Sequence, residues 1–190
     1  ASFVVSTATD NPKAGNVIVS KTSTTKVTLL KFTVKNDSDV SATINKASTT
    51  ITVNAAATGT AADIRNLVTA IELYDGSTML QSVAPVFATS ASTTTIDGAS
   101  DTYVYVANDV KWENFTLPIA ANTTKTLTIK AVLASVQDTA LVGEGGEFIK
   151  ADKFTMQGVD TNSNVVGENL YTVAGNAQHI FLKAPTFALG

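Results

Sequence analysis

The chain has 190 residues, of which 44% are hydrophobic and only 15% charged, with a formal net charge of −3; an average domain carries roughly 25% charged residues. Arg65 is its one arginine and no lysine cluster accompanies it, which excludes nucleic acid as a partner, because phosphate binding needs a concentrated basic face. No stretch approaches the roughly 18 to 20 apolar residues of a spanning helix, and the absence of cysteine removes disulfides and thiolate metal sites.

Hydroxyls replace the missing charge: 30 Thr and 14 Ser occupy 44 of the 190 positions. Threonine is β-branched and suits the solvent face of a strand. A low-charge, Thr-rich chain without cysteine fits an extracellular setting. Ala1-Ser2 opens with neither a charged nor an apolar leader, as expected of a mature form or of a piece of a longer protein.

In chain order, SFVVST (2–7) and NVIVS (16–20) are short strand candidates. LLKFTVKN (29–36) is a clear one: Leu30, Phe32 and Val34 alternate with Lys31, Thr33 and Lys35, the period-two signature of a half-buried strand. TITVN (50–54) follows. NAAATGTAA (54–62) reads as a small-residue loop. AADIRNLVTAI (61–71) places Ile64, Leu67, Val68 and Ile71 at helical spacing behind a candidate cap, Asp63, which predicts a short helical stretch near 61–70. ELYDGSTMLQ (72–81) is a hairpin, since Asp75-Gly76 supplies the positive φ of a tight turn. ATSASTTTIDGAS (88–100) reads as a second loop, TYVYVAN (102–108) and NFTLPI (114–119) as separate strands. KTLTIKAVL (125–133) alternates Leu127, Ile129, Ala131 and Leu133 with polar residues. EFIKADKFTMQG (147–158), NLYTVAG (169–175) and HIFLKAPTFALG (179–190) complete the set. About ten strands without a Pro-rich break predict one all-β domain over 1–190, an antiparallel sandwich or jelly roll.

The chemistry-bearing residues are sparse. His179 is the only histidine, with no GxSxG elbow and no adjacent serine, so a nucleophile–base–carboxylate relay has no sequence support. One histidine without cysteine is also too few for a tetrahedral zinc site. Asp109, Glu113, Glu144 and Glu147 read as solvated turn carboxylates, and GEGGE (143–147) as a turn without a phosphate-loop pattern. No enzyme and no cofactor is expected. Calcium is the one candidate ion, because hard oxygen ligands suit such a chain. Asp160, Asn162 and Asn164 in DTNSN are its candidate ligands, although Val165 stands where an EF-hand needs Gly and no Glu stands at its twelfth position. NDSD (36–39) is a weaker set. Asn36, Asn114 and Asn122 match the glycosylation sequon, a pattern that arises by chance among so many threonines. Tyr103, Tyr105 and Trp112 form a candidate carbohydrate-stacking platform, with burial in the core the competing expectation.

In order, LLKFTV (29–34), IELYDGSTML (71–80), NFTLPIAANTTKTLTIKAVL (114–133) and IFLKAPTFAL (180–189) span most of the chain. This series resembles Thr-rich β-domains of large secreted or surface proteins of Patescibacteria, the candidate phyla radiation. The resemblance implies a tandem array whose closing segment leads into the next domain, with no catalytic residues. A looser resemblance is to donor-strand pilins and jelly-roll fibre proteins, where a terminal strand of one subunit completes a neighbour's sheet.

Both termini are apolar, whereas chain ends are ordinarily polar. Phe3, Val4 and Val5 at one end, and Ile180, Phe181, Leu182, Phe187 and Leu189 at the other, are the candidate partner-binding residues. Residues 1–7 and 184–190 are the candidate exchanged or linking strands, and Pro185 marks a junction. The expected partners are copies of this chain or adjacent domains, with carbohydrate as the rival.

Overall fold

The computed structural model describes residues 1–56, 64–87, 92–96, 99–135, 147–167 and 169–181; for Ala55, Ala56, Ile64, Leu170, residues 92–96 and residues 99–109 it describes the backbone alone. The strands are β1 (Phe3–Thr7), β2 (Gly15–Ile18), β3 (Thr25–Asn36), β4 (Ala42–Ala56), β5 (Val68–Asp75), β6 (Thr78–Val83), β7 (Ser92–Ile96), β8 (Ala99–Ile119), β9 (Thr124–Leu133), β10 (Phe148–Asp160), β11 (Val165–Val166), β12 (Leu170–Ala174) and β13 (Gln178–Phe181). One helical turn, α1 (Ile64–Leu67), precedes β5. No helix among the described residues is long and apolar enough to cross a membrane.

The alternating sequence decides which face each strand buries, and two such faces meet. One sheet has the order β1-β3-β9-β5-β6; the other has β2-β13-β10-β4-β8-β7, with β11 and β12 also on β10. Phe32 and Leu127, Ile129 and Leu133 of the first sheet share one core with Ile51, Trp112, Leu117 and Phe154 of the second. Phe32 and Phe154 touch across the interface, ring centres 4.5 Å apart. Each such side chain contributes roughly 1.5–3 kcal/mol through burial. The expected all-β sandwich is the observed fold.

Long strands replace several short ones, and bulges are the reason. In β10, Phe154 and Met156 point inward, and so do Ile149 and Ala151, although Phe154 and Ala151 are three residues apart. The pairing with β4 shifts between Asp152 and Phe154, where Lys153 has φ 61°. An inserted residue reverses the alternation, so both halves of a bulged strand keep their apolar side chains on the core. In β8, Val110 and Trp112 give way to Phe115, Leu117 and Ile119 around Asn114, at φ 97°, beside a shift in the pairing with β4. In β3, a shift between Thr28 and Leu30 lets both Leu29 and Leu30 be fully buried. The expected strands at 102–108 and 114–119 are therefore one, β8. The expected strand at 50–54 is the far half of β4.

One expectation is refined and another corrected. The short helical turn expected near 61–70 is α1, Ile64–Leu67, and it ends there because Val68 and Ile71 pair with Leu133 and Ala131 of β9. One turn fixes several residues for few hydrogen bonds, and the neighbouring strand offers β-branched Val68 and Ile71 a better-packed setting. Asp63 lies outside the described residues. The 88–100 loop contains β7 and the start of β8, paired through Thr93↔Tyr103 and Thr94↔Thr102. Ser92, Thr93, Thr94 and Thr95 carry no apolar alternation that would mark a strand, and β7 lies at the edge of its sheet. The β5–β6 hairpin is as expected, with Gly76 at φ +58°.

Candidate functional site

The terminal strands are bound into opposite sheets. β1 pairs antiparallel with β3 from Phe3↔Asn36 to Thr7↔Phe32. This register turns Phe3 and Val5 onto the core and leaves Val4 exposed on the outer face. β13 lies inside the other sheet, antiparallel to β10 through Phe148↔His179 and parallel to β2 through Gln178↔Gly15 to Phe181↔Ile18. Ile180 is in the core and Phe181 is half-buried. The candidate partner residues up to Phe181 therefore have their backbone bonds within this domain. Leu182, Phe187 and Leu189, with Pro185, lie outside the described residues.

Ala1 and Phe181 sit at opposite poles. The Ala1 nitrogen is 3.0 Å from Asp160 Oδ2, and the Asp37 N–H donates to Ser2 O at 2.8 Å. At the other pole β13 runs out past the start of β10, where the Ile180 N–H donates to Glu147 O at 3.1 Å. β10 spans Phe148–Asp160, so the poles are separated by roughly 40 Å at about 3.3 Å per residue.

Asp160 organises the first pole as an Asx turn. Its Oδ1 accepts the N–H groups of Asn162 and Asn164, both at 2.9 Å, and its Oδ2 accepts the Asn164 amide at 3.2 Å. The Asn164 N–H foremost, then the Ala1 nitrogen, the Asn164 amide and the Asn162 N–H, hold the carboxyl down at about 2 against burial, from an ordinary 3.8. Asp160 and Asn164, two of the candidate calcium ligands, thus face each other as acceptor and donor, which is how a turn closes without a cation. A carboxylate depressed in the folded state stabilises it above the unfolded pKa and loses that contribution as it protonates. We expect the urea midpoint to fall as pH drops from 3.8 toward about 2, and Asp160→Asn to flatten that part of the profile. A wild-type profile already flat there would contradict the assignment.

The weaker set is also engaged. Asn36 is fully buried and its amide donates to Val40 O, Ile119 O and Ala120 O, so it is a structural clasp rather than a ligand or a glycan acceptor. Asp37 pairs with Lys35, and Asp39 accepts the Asn122 amide. Among the described residues, no three His, Cys, Asp or Glu side chains gather as for a metal.

Trp112 is fully buried, its Nε1–H donating to Ile71 O at 3.1 Å, which takes it out of the candidate sugar platform; the Tyr103 and Tyr105 side chains lie outside the described residues. A shallow groove of about 440 Å³ opens at the Asp160 pole between Ser41–Thr43, Pro118–Ala120 and Val159–Thr161, and none of its lining residues is aromatic. His179 is half-buried, edge-on to Phe148. Glu113 is exposed and Glu147 buried. Residues 143–146 and the Asp109 side chain lie outside the described residues.

One cluster escaped the sequence reading. On the outer face of the first sheet, the Tyr74 hydroxyl donates to Glu72 Oε2 at 2.6 Å, and Lys26 Nζ reaches Glu72 Oε1 and the Tyr74 oxygen at 3.2 and 3.0 Å. Tyr74 first, then Glu72, raises the Lys26 pKa, while Lys130 Nζ stands 4.4 Å from the Tyr74 ring centre. Glu72 and Tyr74 share a face at i, i+2, a signal visible in ELYDG, but Lys26 joins only through β9. Lys31, Lys35 and Lys125 pair with Asp10, Asp37 and Asp75, so these lysines stand beside neutralising carboxylates.

Compared with protein-family models, curated proteins and solved structures, the chain matches none.

Proposed function

We propose that this chain is a non-catalytic structural module of an extracellular or cell-surface assembly, either a filament subunit or one unit of a tandem surface protein, joined to its neighbours by terminal β-strand addition. The observation that carries this reading is the placement of Ala1 and Phe181 at opposite poles. Contacts made head to tail through opposite poles do not close on themselves, so they propagate as a chain. The apolar closing segment with Leu182, Phe187 and Leu189 supplies alternate side chains for strand addition. The Thr-rich, low-charge composition suits exposure outside the cell. The rival reading, a carbohydrate-binding or adhesin-like module, is weakened by the burial of Trp112.

Electron microscopy of the purified chain, with and without residues 184–190, tests the filament form. Fibres that disappear on truncation are the expected result; monodisperse particles in both preparations overturn self-assembly by this segment.

A further inference from the structure

We infer that the fold is built to carry tension between its ends, with the parallel β2–β13 pair as the clamp. This deepens the structural reading above and says what one module does when its neighbours pull.

β1 starts at one pole and β13 ends at the other, so a pull on those two points runs roughly along the strands. Hydrogen bonds between strands lie across that axis, so they are loaded together rather than broken one after another. β1 meets this load first, through its five paired residues on β3. If β1 yields, the pull reaches β2. The start of β2 then faces one pole while the end of β13 faces the other, because the two strands are parallel. They can separate only by sliding past each other.

The clamp is reinforced on each side. Four paired residues are flanked by the Gly15 N–H donating to Ala177 O at 3.3 Å and the Val19 N–H donating to Phe181 O at 2.8 Å. Gln178 Nε2 donates to Lys13 O at 2.9 Å, tying β13 to the segment ahead of β2. Val19 and Ile180 are 2% and 1% exposed, so sliding uncovers core and breaks backbone bonds in one step. Forced unfolding is governed by the unfolding barrier rather than by equilibrium stability, and a shared barrier of this kind is steep along one direction only.

Single-molecule force spectroscopy on isolated copies tests this without requiring assembly, so failure of the clamp and failure of the filament reading are separate outcomes. Chains held at residues 1 and 190 are expected to rupture at severalfold higher force than chains held at residue 1 and at Ser77→Cys. That second tether lies at the same pole as Ala1 and peels β1 from its end. Val19→Pro, which removes the Val19 N–H, is expected to lower the end-to-end rupture force severalfold. Leu73→Ala, a core truncation in β5, serves as the control for general loss of stability and is expected to leave that force nearly unchanged. Equal forces in the two tether geometries, or a Val19→Pro loss no larger than that of Leu73→Ala, would overturn the clamp.

Discussion

Replacing Trp112 with alanine is expected to remove about 3–5 kcal/mol of stability, a large share of the roughly 5–15 kcal/mol that keeps a domain folded. Trp112 is the largest fully buried side chain, and its indole spans the sandwich: it stands on β8 of one sheet and donates to Ile71 O on β5 of the other. Truncation therefore opens a cavity between layers that cannot collapse without moving a whole sheet, and it takes away the donor to a buried carbonyl. At a urea slope of about 2–3 kcal/mol per molar, the midpoint falls by about 1–2.5 M. Trp112→Phe retains much of the volume but not the N–H, and is expected to cost about 1–3 kcal/mol. Because Trp112 is the single tryptophan, its fluorescence reports on the wild type directly: blue-shifted emission when folded, a red shift on unfolding, and no quenching by added sugars. A midpoint unchanged in Trp112→Ala would mean the indole is not the bridge described.

The second large effect is expected at Gly175, where alanine should destabilise by about 1–3 kcal/mol or more. A Cβ there would lie 2.2 Å from Leu29 O and 3.1 Å from Ala151 O. Both obstacles are backbone, so neither moves as a flexible side chain would. Leu29 belongs to the bulge of β3 in the opposite sheet, so Gly175 marks a close approach of the two layers just ahead of β13. The cost is purely one of contact, since positive φ among the described glycines is confined to Gly76 and Gly167. Gly76→Ala provides the contrast. Nothing lies within 4 Å of its would-be Cβ, and only the left-handed conformation opposes it, at about 1 kcal/mol. Thermal melts of the two variants should rank Gly175→Ala well below Gly76→Ala, and the reverse order would refute the close approach.

How much of this was legible beforehand depends on the strand. Wherever alternation runs unbroken, as at Leu30, Phe32 and Val34 or at Leu127, Ile129, Ala131 and Leu133, the residues on the page and the residues in the core coincide. The Asp75-Gly76 turn was equally visible, because its backbone demand is local. The candidate site was legible only in part: the apolar ends stand out in the sequence, but the strands that receive Phe3 and Ile180 do not.

The amino-acid sequence by itself determined the all-β class, the faces of the unbulged strands and the hairpin turn, since each follows from side-chain period or a local φ. Tertiary structure alone decided the rest. It extended the run at 50–54 into β4 and merged two short runs into β8, because a bulge reverses the alternation and only the partner strand shows that both halves face one core. It set Val68 and Ile71 in a strand rather than a helix, placed Trp112 across both layers, brought Ala1 to Asp160 and set β2 parallel to β13. These are pairings between residues tens to more than a hundred positions apart, and no local pattern carries information about which distant edge will satisfy a backbone hydrogen bond.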